Sequence, residues 1–454
     1  MAHNRRVSTT FGELIADGLL EIGDGYRAKN EELGGGGPIF LRAGHVTDTH
    51  IDFAGVERFH VSLTDKVRSK MSRVGDAIVT TKGNSTGRTA FVTASMPEFV
   101  YSPHLSYWRS LDVHKLKPGF LRFWSKSAEF SEQLAGMKAS TDMAPYLSLV
   151  DQRRLKITLP SPSDQDAISE ILGAFEEKIE LNRRMNETLE TMARALFKSW
   201  FVDFDPVMAK VEGRNPNLPE RLAVQFPSAL QHAQNGKLPV GWRLSFLGDE
   251  VRRFGGTIQT GPFGSQLHAS DYVEHGVPVI MPQDLVRRRI AMSKIARTSE
   301  GDAQRLARHR VEPGDIIYSR RGNVELHALV GMREAGWLCG TGCLLVRPGA
   351  NFPSPLFVSF ALDRPECRSW IVQHAIGATM PNLNTGILAR VPLMMPDDAL
   401  LGVFEKTVQP IAKRILALDD QAEVLLAMRD TLLPKLVSGE LRVKAAEKIV
   451  EAVA

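Results

Sequence analysis

The chain has 454 residues, too many for one hydrophobic core and enough for two domains of ordinary size with connectors. At 43% hydrophobic and 24% charged residues its composition is that of a soluble folded protein, which excludes disordered and fibrous classes. The formal net charge of +4 is too small to name a partner, and the three cysteines, Cys339, Cys343 and Cys367, are too few for a disulfide framework and lack zinc-ligand spacing, so they read as buried, reduced thiols.

The start, Met1-Ala-His-Asn-Arg-Arg, runs into a polar stretch, and no apolar run has membrane-spanning length, so the expected location is the cytoplasm. Residues 1–160 read as a first mixed α/β domain. Thr10 to Leu20 has a short helical pattern, whereas Asp76-Ala-Ile-Val-Thr-Thr and Leu155-Lys-Ile-Thr-Leu are β-branched or alternating enough for strands. Gly34 to Gly37 with Pro38 mark a mobile loop, because no strand-to-helix context frames them as a phosphate cradle.

A long helix is expected over 161–205, with Ser163 or Asp164 as its N-cap. Its apolar positions step by four and three through Ile168, Leu172, Phe175 and Ile179, then reach Asn182, Asn186, Leu189, Ala193 and Leu196, which is a coiled-coil seam. The two asparagines sit where leucine would stabilise more; they either fix register as buried polar groups or lie on a solvated or partner-facing part of the seam. Asp205-Pro206 is expected to stop the helix, and 206–240, with five prolines, reads as a surface linker.

A second domain is expected over 241–396, followed by a long helix over 397–438 closed by Ser438-Gly439 and a tail, 439–454. The second helix repeats the first at an offset of 236 residues, through Phe404, Val408, Ile411, Ile415, Leu418, Ala422, Leu425, Arg429 and Leu432. The repeat continues upstream, where Gly75-Asp76-Ala77-Ile78 with Lys82-Gly83-Asn84 matches Gly314-Asp315-Ile316-Ile317 with Arg321-Gly322-Asn323. The expected fold class is therefore α+β: two mixed α/β domains and two long antiparallel coiled-coil helices, with an internal pseudo-twofold repeat. Between Leu285 and Glu325 there are ten Lys/Arg against five Asp/Glu, including Arg287-Arg288-Arg289, Arg320 and Arg321. Such a stretch suits a polyanion or is simply a solvated charged surface.

Enzymatic motifs fail on inspection. Gly83-Asn-Ser-Thr-Gly87-Arg88-Thr89 is one residue short of a P-loop and has arginine for lysine, and its repeat, Gly322-Asn-Val-Glu-Leu-His, loses the pattern. Asp76 with Lys82 is reminiscent of a metal-dependent nuclease, but the intervening acid is absent, position 80 being Thr80. No Asp/Asn-Pro-Pro-aromatic motif, glycine-rich cofactor loop or serine elbow occurs. What remains is a binding module whose twofold repeat matches the symmetry of duplex DNA. Arg320 and Arg321 are candidates for guanine edges or phosphate, and Asn323, Ser265 and Gln266 for base edges; Lys82, Asn84 and Arg88 are the first-domain candidates. Gly261, Gly264 and Gly322 read as turn-formers.

Leu189-Glu-Thr-Met-Ala-Arg-Ala-Leu-Phe-Lys-Ser-Trp-Phe-Val-Asp-Phe-Asp-Pro206 and Met428-Arg-Asp-Thr-Leu-Leu-Pro-Lys-Leu-Val-Ser-Gly-Glu-Leu-Arg442 resemble the helical regions of specificity subunits of type I restriction-modification systems. Gly236-Lys-Leu-Pro-Val-Gly-Trp242, Thr260-Gly-Pro-Phe-Gly-Ser-Gln-Leu267 and Pro313-Gly-Asp-Ile-Ile-Tyr-Ser-Arg-Arg-Gly-Asn323 resemble a target-recognition domain of that family. The first domain departs from the pattern, with Asp24-Gly-Tyr-Arg-Ala-Lys29 in place of the Gly-Pro-Phe-Gly-Ser element. The resemblance implies a non-catalytic DNA-binding subunit reading a bipartite double-stranded target. It implies two methyltransferase subunits docked on the helices and restriction/translocase subunits joining for cleavage, with S-adenosylmethionine, ATP and Mg on those partners and no cofactor in this chain. The helix residues Phe175, Ile179, Leu189, Leu196, Phe197, Trp200, Ile411, Ile415, Leu425 and Leu432 are the expected partner-binding positions. The rival readings are a cytoplasmic coiled-coil scaffold with two protein-binding domains and a self-sufficient DNA-modifying enzyme.

Overall fold

The structure is a computed structural model that describes residues 6–47, 50–139, 146–233, 236–292, 294–377 and 379–451. Met1 to Arg5, read above for a leader, lie outside the described residues. The chain divides into two compact units, Met1–Arg184 with Asp419–Ala454, and Met185–Leu418.

In unit 1 the strands are β1 (Val7–Thr10), β2 (Leu20–Asp24), β3 (Ile39–Leu41), β4 (Glu57–Arg58), β5 (Ala77–Thr80), β6 (Thr89–Phe91), β7 (Phe99–Tyr101), β8 (Leu105–Ser110) and β9 (Lys156–Leu159). They form an antiparallel sheet of order β2-β8-β5-β6, a sheet β4-β3-β7 in which β3 and β7 are parallel, and the pair β1-β9. A short helix, Phe11–Ala16, is opened by a capping box in which the Thr10 hydroxyl accepts from the Glu13 amide at 3.1 Å. The glycine run is not a mobile loop. Gly34 and Gly35 amides donate to the Arg58 carbonyl at 2.9 and 3.2 Å, and the Gly37 amide donates to that of Phe59 at 2.8 Å, so the run is laid along the neighbouring chain.

Unit 2 contains β10 (Leu230–Ala233), β11 (Gly236–Pro239), β12 (Arg243–Phe246), β13 (Thr257–Thr260), β14 (Tyr272–Ile280), β15 (Leu285–Val286) and β16 (Arg289–Ile290). These are followed by β17 (Ala296–Thr298), β18 (Ile316–Ser319), β19 (His327–Leu329), β20 (Leu338–Cys339), β21 (Cys343–Arg347) and β22 (Pro392–Met395). The sheets β13-β21-β18-β19 and β17-β14-β20, the parallel pair β14-β20 and the pair β12-β22 reproduce unit 1 strand for strand. The duplication expected from sequence is thus a duplication of topology; the additions in unit 2 are the hairpins β10-β11 and β15-β16.

The long helices are Pro162–Phe201 and Asp398–Ser438, of 40 and 41 residues. The first is capped by Ser161, whose hydroxyl accepts from the Asp164 amide at 3.2 Å, with Pro162 in the first turn where its missing N–H costs nothing. Ser163 and Asp164 therefore lie inside the helix. Within unit 1 the two helix segments run antiparallel: Glu176 meets Arg429 at 3.6 Å, and six residues further on the Asn182 amide donates to Gln421 Oε1 at 2.9 Å. Asn182 and Asn186 are buried, which decides for polar groups within the seam rather than a solvated stretch. Within unit 2, Phe197 packs on Phe357, Phe360 and Phe404 with ring centroids 5.5–6.0 Å apart. Gly439, at φ +82°, closes the second helix as expected.

Two expectations are corrected here. Pro206 does not act alone as a stop: the helix ends at Phe201, Phe204 turns the chain at φ +58°, and Pro206 sits in the first turn of a new helix, Asp205–Val211. The stretch after it is not a surface linker, because it folds into that helix, a second over Glu220–Ala223 and the β10-β11 hairpin, and it buries Val207 and Phe226 in the unit 2 core. The tail carries a further helix, Val443–Glu451, whose Ala446 is buried in unit 1. The three cysteines are buried and unlinked, and burial pushes the Cys367 thiol up to about 11. Among the described residues no helix is long and apolar enough to cross a membrane.

Candidate nucleic-acid interface

In the main sheet of unit 2, β13 and β18 are both antiparallel to β21 and so end on the same side. The loops that follow them, Gly261–Leu267 and Arg320–Leu326, flank the Gly340–Gly342 connection that separates β20 from β21. Gly261 N–H donates to the Cys343 carbonyl at 2.9 Å, and Arg320 N–H to that of Gly342 at 2.8 Å. The structure therefore brings Ser265 and Gln266 to the same sheet end as Arg320, Arg321 and Asn323, although more than fifty residues separate them in the chain.

Unit 1 repeats the arrangement. The loops after β2 and β5 flank the β7-β8 connection, with Tyr26 N–H on the Tyr101 carbonyl at 2.7 Å and Thr81 N–H on that of His104 at 2.9 Å. Thr81 and Arg320 are equivalent: their carbonyls accept from Leu147 and Leu383 amides at 2.9 and 2.8 Å. Lys82, Asn84 and Arg88 thus stand in the loop that matches Arg320–Asn323. The missing Gly-Pro-Phe-Gly-Ser element has a counterpart of one residue. A Cβ on Gly25 would lie 2.1 Å from the Tyr101 and Ser102 carbonyl oxygens, and one on Gly261 would lie 2.1 Å from that of Gly340, so both loops need glycine at the same crossing. Gly261 is accordingly held by a close backbone approach rather than by a turn.

Of the candidate side chains, Lys82, Asn84 and Arg88 are exposed in unit 1, and Ser265, Arg321 and Asn323 are exposed in unit 2. Gln266 is partly committed, its Oε1 accepting from the Phe263 amide at 3.1 Å, and Asn323 Oδ1 accepts from the Glu325 amide at 3.2 Å. Both amide groups keep NH2 donors for a ligand. Arg320 Nε and Thr341 Oγ1 are buried here without a hydrogen-bond partner among the described residues.

The basic stretch is not a single polyanion face. Arg288, at φ +63° in the β15-β16 turn, is buried 3.7 Å above the Phe360 ring and paired with Glu190 at 2.5 Å. Burial pulls its pKa down, an effect that the Glu190 charge opposes. Arg305 pairs with Asp302 at 2.7 Å and Arg310 with Glu300 at 2.5 Å, while Arg297 donates to the Gly276 carbonyl at 3.1 Å. Sequence density overstated the patch because the acids that neutralise Arg288 come from distant segments.

Asp76 is also placed differently from any catalytic acid. It is fully buried, accepts two hydrogen bonds from Arg109 at 2.7 Å and one from the Tyr101 hydroxyl at 2.7 Å, and caps the Arg73 amide at 2.8 Å. Asp315 does the same with Arg347 at 2.7 Å and the Glu312 amide at 2.8 Å. Each acid follows a glycine at φ +95° or +92°, Gly75 and Gly314, which explains the repeated Gly-Asp as a structural turn. Sequence reasoning missed the paired arginines, since nothing local marks Arg109 and Arg347. Among the described residues no group of three or more His, Cys, Asp or Glu is placed to hold a metal ion.

The helix positions expected to bind partners are mostly enclosed within the chain. Phe175, Phe197, Trp200 and Leu432 are buried in the core of their own unit, Ile415 is buried on the seam, and Ile179, Leu189, Leu196, Ile411 and Leu425 are half-buried along it. The heptad positions are occupied by intrachain packing, and on the outward faces Leu181, Met192 and Val424 are about half exposed.

The family described as "Type I restriction modification DNA specificity domain" matches residues 17–191. The HindI type I restriction enzyme specificity subunit of Haemophilus influenzae is 24% identical over 446 residues, covering 89% of this chain and 94% of that protein. The MjaIX specificity subunit of Methanocaldococcus jannaschii is 26% identical over 326 residues, 72% of this chain and 69% of that one. In fold, the S subunit of a type I restriction-modification system from M. genitalium superposes with a TM-score of 0.59 at 16% identity, over 96% of this chain and 97% of that chain. By sequence and by fold the chain is therefore similar to the specificity subunits of type I restriction-modification systems, and its residues 17–191 match the DNA specificity domain described for them.

Proposed function

We propose that this chain is the sequence-specific DNA-binding subunit of a type I restriction-modification assembly, with each unit reading one half of a bipartite target. The observation that carries the reading is the repeated pair of polar loops at one end of the equivalent sheet in each unit. Arg321 and Arg320 suit guanine edges or phosphate, and the NH2 groups of Asn84, Asn323 and Gln266 suit acceptors on base edges. The chain itself contributes no chemistry. Two methyltransferase subunits dock on outward helix faces around Leu181, Met192 and Val424, and restriction/translocase subunits join for cleavage. S-adenosylmethionine, ATP and Mg2+ belong to those partners, and the target adenine is flipped out of the duplex into the methyltransferase.

The test is a gel shift of duplex DNA by the complex with its methyltransferase, repeated across a salt series. A sequence-dependent shift that weakens linearly in log salt supports the reading. A complex that assembles but shifts no duplex favours a protein-binding coiled-coil scaffold instead.

A further inference from the structure

In unit 2 a tight turn is joined to the loop after β18 by backbone hydrogen bonds. Its stem is Ile376 and Asn382, whose amides and carbonyls exchange two bonds of 2.9 Å. The outer edge of the stem is laid on the reading loop: Asn382 bridges Arg321 antiparallel, Gly322 N–H donates to the Pro381 carbonyl at 3.1 Å, and Leu383 N–H to that of Arg320 at 2.8 Å. The turn needs Gly377, which lies at φ +102°, and a Cβ there would sit 2.8 Å from the Met380 carbonyl oxygen. Helices hold it on both sides, Pro365–His374 before it and Thr385–Ala389 after it, the latter capped by Asn384 Oδ1 accepting from the Ile387 amide at 2.8 Å. Fixed in this way, the turn leaves Ile376 62% and Met380 64% exposed beside the loop that carries Arg321 and Asn323.

Single exposed apolar side chains are ordinary on a protein surface. The repeat sets these apart. In unit 1 Lys82 bridges Tyr146 antiparallel as Arg321 bridges Asn382, and Leu147 N–H donates to the Thr81 carbonyl as Leu383 N–H does to that of Arg320. Ser148 then caps the helix Leu149–Arg153 as Asn384 caps Thr385–Ala389. Tyr146 is 57% exposed. Both units thus present a large apolar side chain beside the loop after the equivalent strand, although the residues differ, as they should if the units read different half-sites. Arginine and amide groups supply the hydrogen bonds of base recognition, whereas the C5-methyl group that thymine shows in the major groove is recognised by apolar contact.

We propose that this turn is a third reading segment of unit 2, with Met380 and Ile376 in apolar contact with thymine methyl groups of its half-site, and that Tyr146 holds the equivalent place in unit 1. The inference rests on the DNA-binding reading above. It divides the work at each sheet end between polar loops, which read donors and acceptors, and an apolar neighbour, which reads methyl groups.

The test uses the full chain assembled with its methyltransferase and duplexes carrying its mapped target, in which the thymines of one half-site at a time are replaced by deoxyuridine, which lacks only the methyl group. The methylated adenine of a half-site faces a thymine, so the replacement can be made. Wild-type affinity is expected to fall about fourfold for each contacted methyl, the worth of one buried methyl group. Met380→Ala and Ile376→Ala are expected to bind the thymine duplex several-fold more weakly and to respond less than wild type to deoxyuridine in one half-site, while keeping the full response in the other. Tyr146→Ala is expected to show the reverse. All three truncate exposed side chains, so melting temperatures within a few degrees of wild type are expected and are checked first. Wild-type affinity that ignores deoxyuridine overturns the proposal, as do variants that bind like wild type. Variants that weaken binding yet respond to deoxyuridine as fully as wild type also overturn it, since the methyl groups are then read elsewhere. Variants that lose the methyltransferase from the complex make the turn a protein-docking surface and overturn it too. A wild-type complex that binds no duplex removes the DNA reading itself, a separate result.

Discussion

Asp76 and Arg109 in unit 1, with Asp315 and Arg347 in unit 2, form a carboxylate–guanidinium pair at the start of β5 and of β18, and removing the acid takes away the main partner of a guanidinium. Asp76→Ala is expected to destabilise unit 1 by about 3–5 kcal/mol, because buried Arg109 loses its two-pronged partner and keeps only Glu21 at 3.5 Å, while the Tyr101 hydroxyl and the Arg73 amide lose their acceptor; urea unfolding measures it. Arg321→Ala and Asn323→Ala, on an exposed loop, are expected to leave the fold intact. Loss of a base-edge contact there costs about 1–3 kcal/mol of DNA binding, and loss of a phosphate contact flattens the salt slope. Unaltered affinity of both variants across a salt titration removes that loop from the site. His327 gives a pH signature. Burial, with the Arg288 guanidinium adding to it and Asp363 opposing, holds the imidazole down at about 4, and burial holds His309 at about 4 as well. An unfolded histidine titrates near 6.5, so between those values the unfolded chain binds the extra protons. Stability present above pH 6.5 is lost as pH falls towards 4, by on the order of 3 kcal/mol for fully buried His327. His327→Phe, which keeps a ring against Tyr318, should flatten the wild-type decline in urea midpoint between pH 7 and 4.5; an equally steep decline would mean that other groups cause it. At this scale the sequence showed candidate donors but not their fate. Arg288 and Arg321 look alike in the chain, and only Glu190, Asp363 and the Phe360 ring, all supplied from far away, turn one inward.

The long helices were the most legible elements, because a seam with steps of four and three is a local pattern. Their ends were less so. Ser161 rather than Ser163 caps the first, and Pro206 opens a helix instead of closing one, since a proline's position in a first turn depends on where the preceding helix has already ended. The proline-rich stretch from 206 to 240 misled for a related reason: proline density signals the absence of long regular elements, not of burial, and Val207 and Phe226 are core residues. Phe197 sits in an aromatic cluster with Phe201, Phe357, Phe360 and Phe404, so Phe197→Ala should cost about 3–5 kcal/mol of unit 2 stability. Leu181→Ser, on an outward face, should change stability by no more than about 0.5 kcal/mol yet reduce co-purification of the methyltransferase subunit. If Phe197→Ala keeps full stability but releases the methyltransferase, the seam residues face the partner after all.

For the whole molecule, the repeat was visible in sequence through the helices and two short motifs, while its depth was visible only in strand order. β2-β8-β5-β6 and β13-β21-β18-β19 match, together with the parallel pairs β3-β7 and β14-β20, although strand pairing leaves no mark in a single sequence. The match to the specificity-domain family falls on 17–191, the half that lacks the Gly-Pro-Phe-Gly-Ser element. Gly25 and Gly261 account for that: what the fold needs at this crossing is a glycine, and its neighbours are free to differ. Two copies of one reading unit, each with its own loops, predict a modular target. The most direct measurement replaces residues 1 to about 160 with the equivalent part of a relative and maps methylated adenines in a host genome. One half-site should change and the other remain as it was. If both half-sites change together, or neither does, the units do not read the DNA independently and the account of the repeat is wrong.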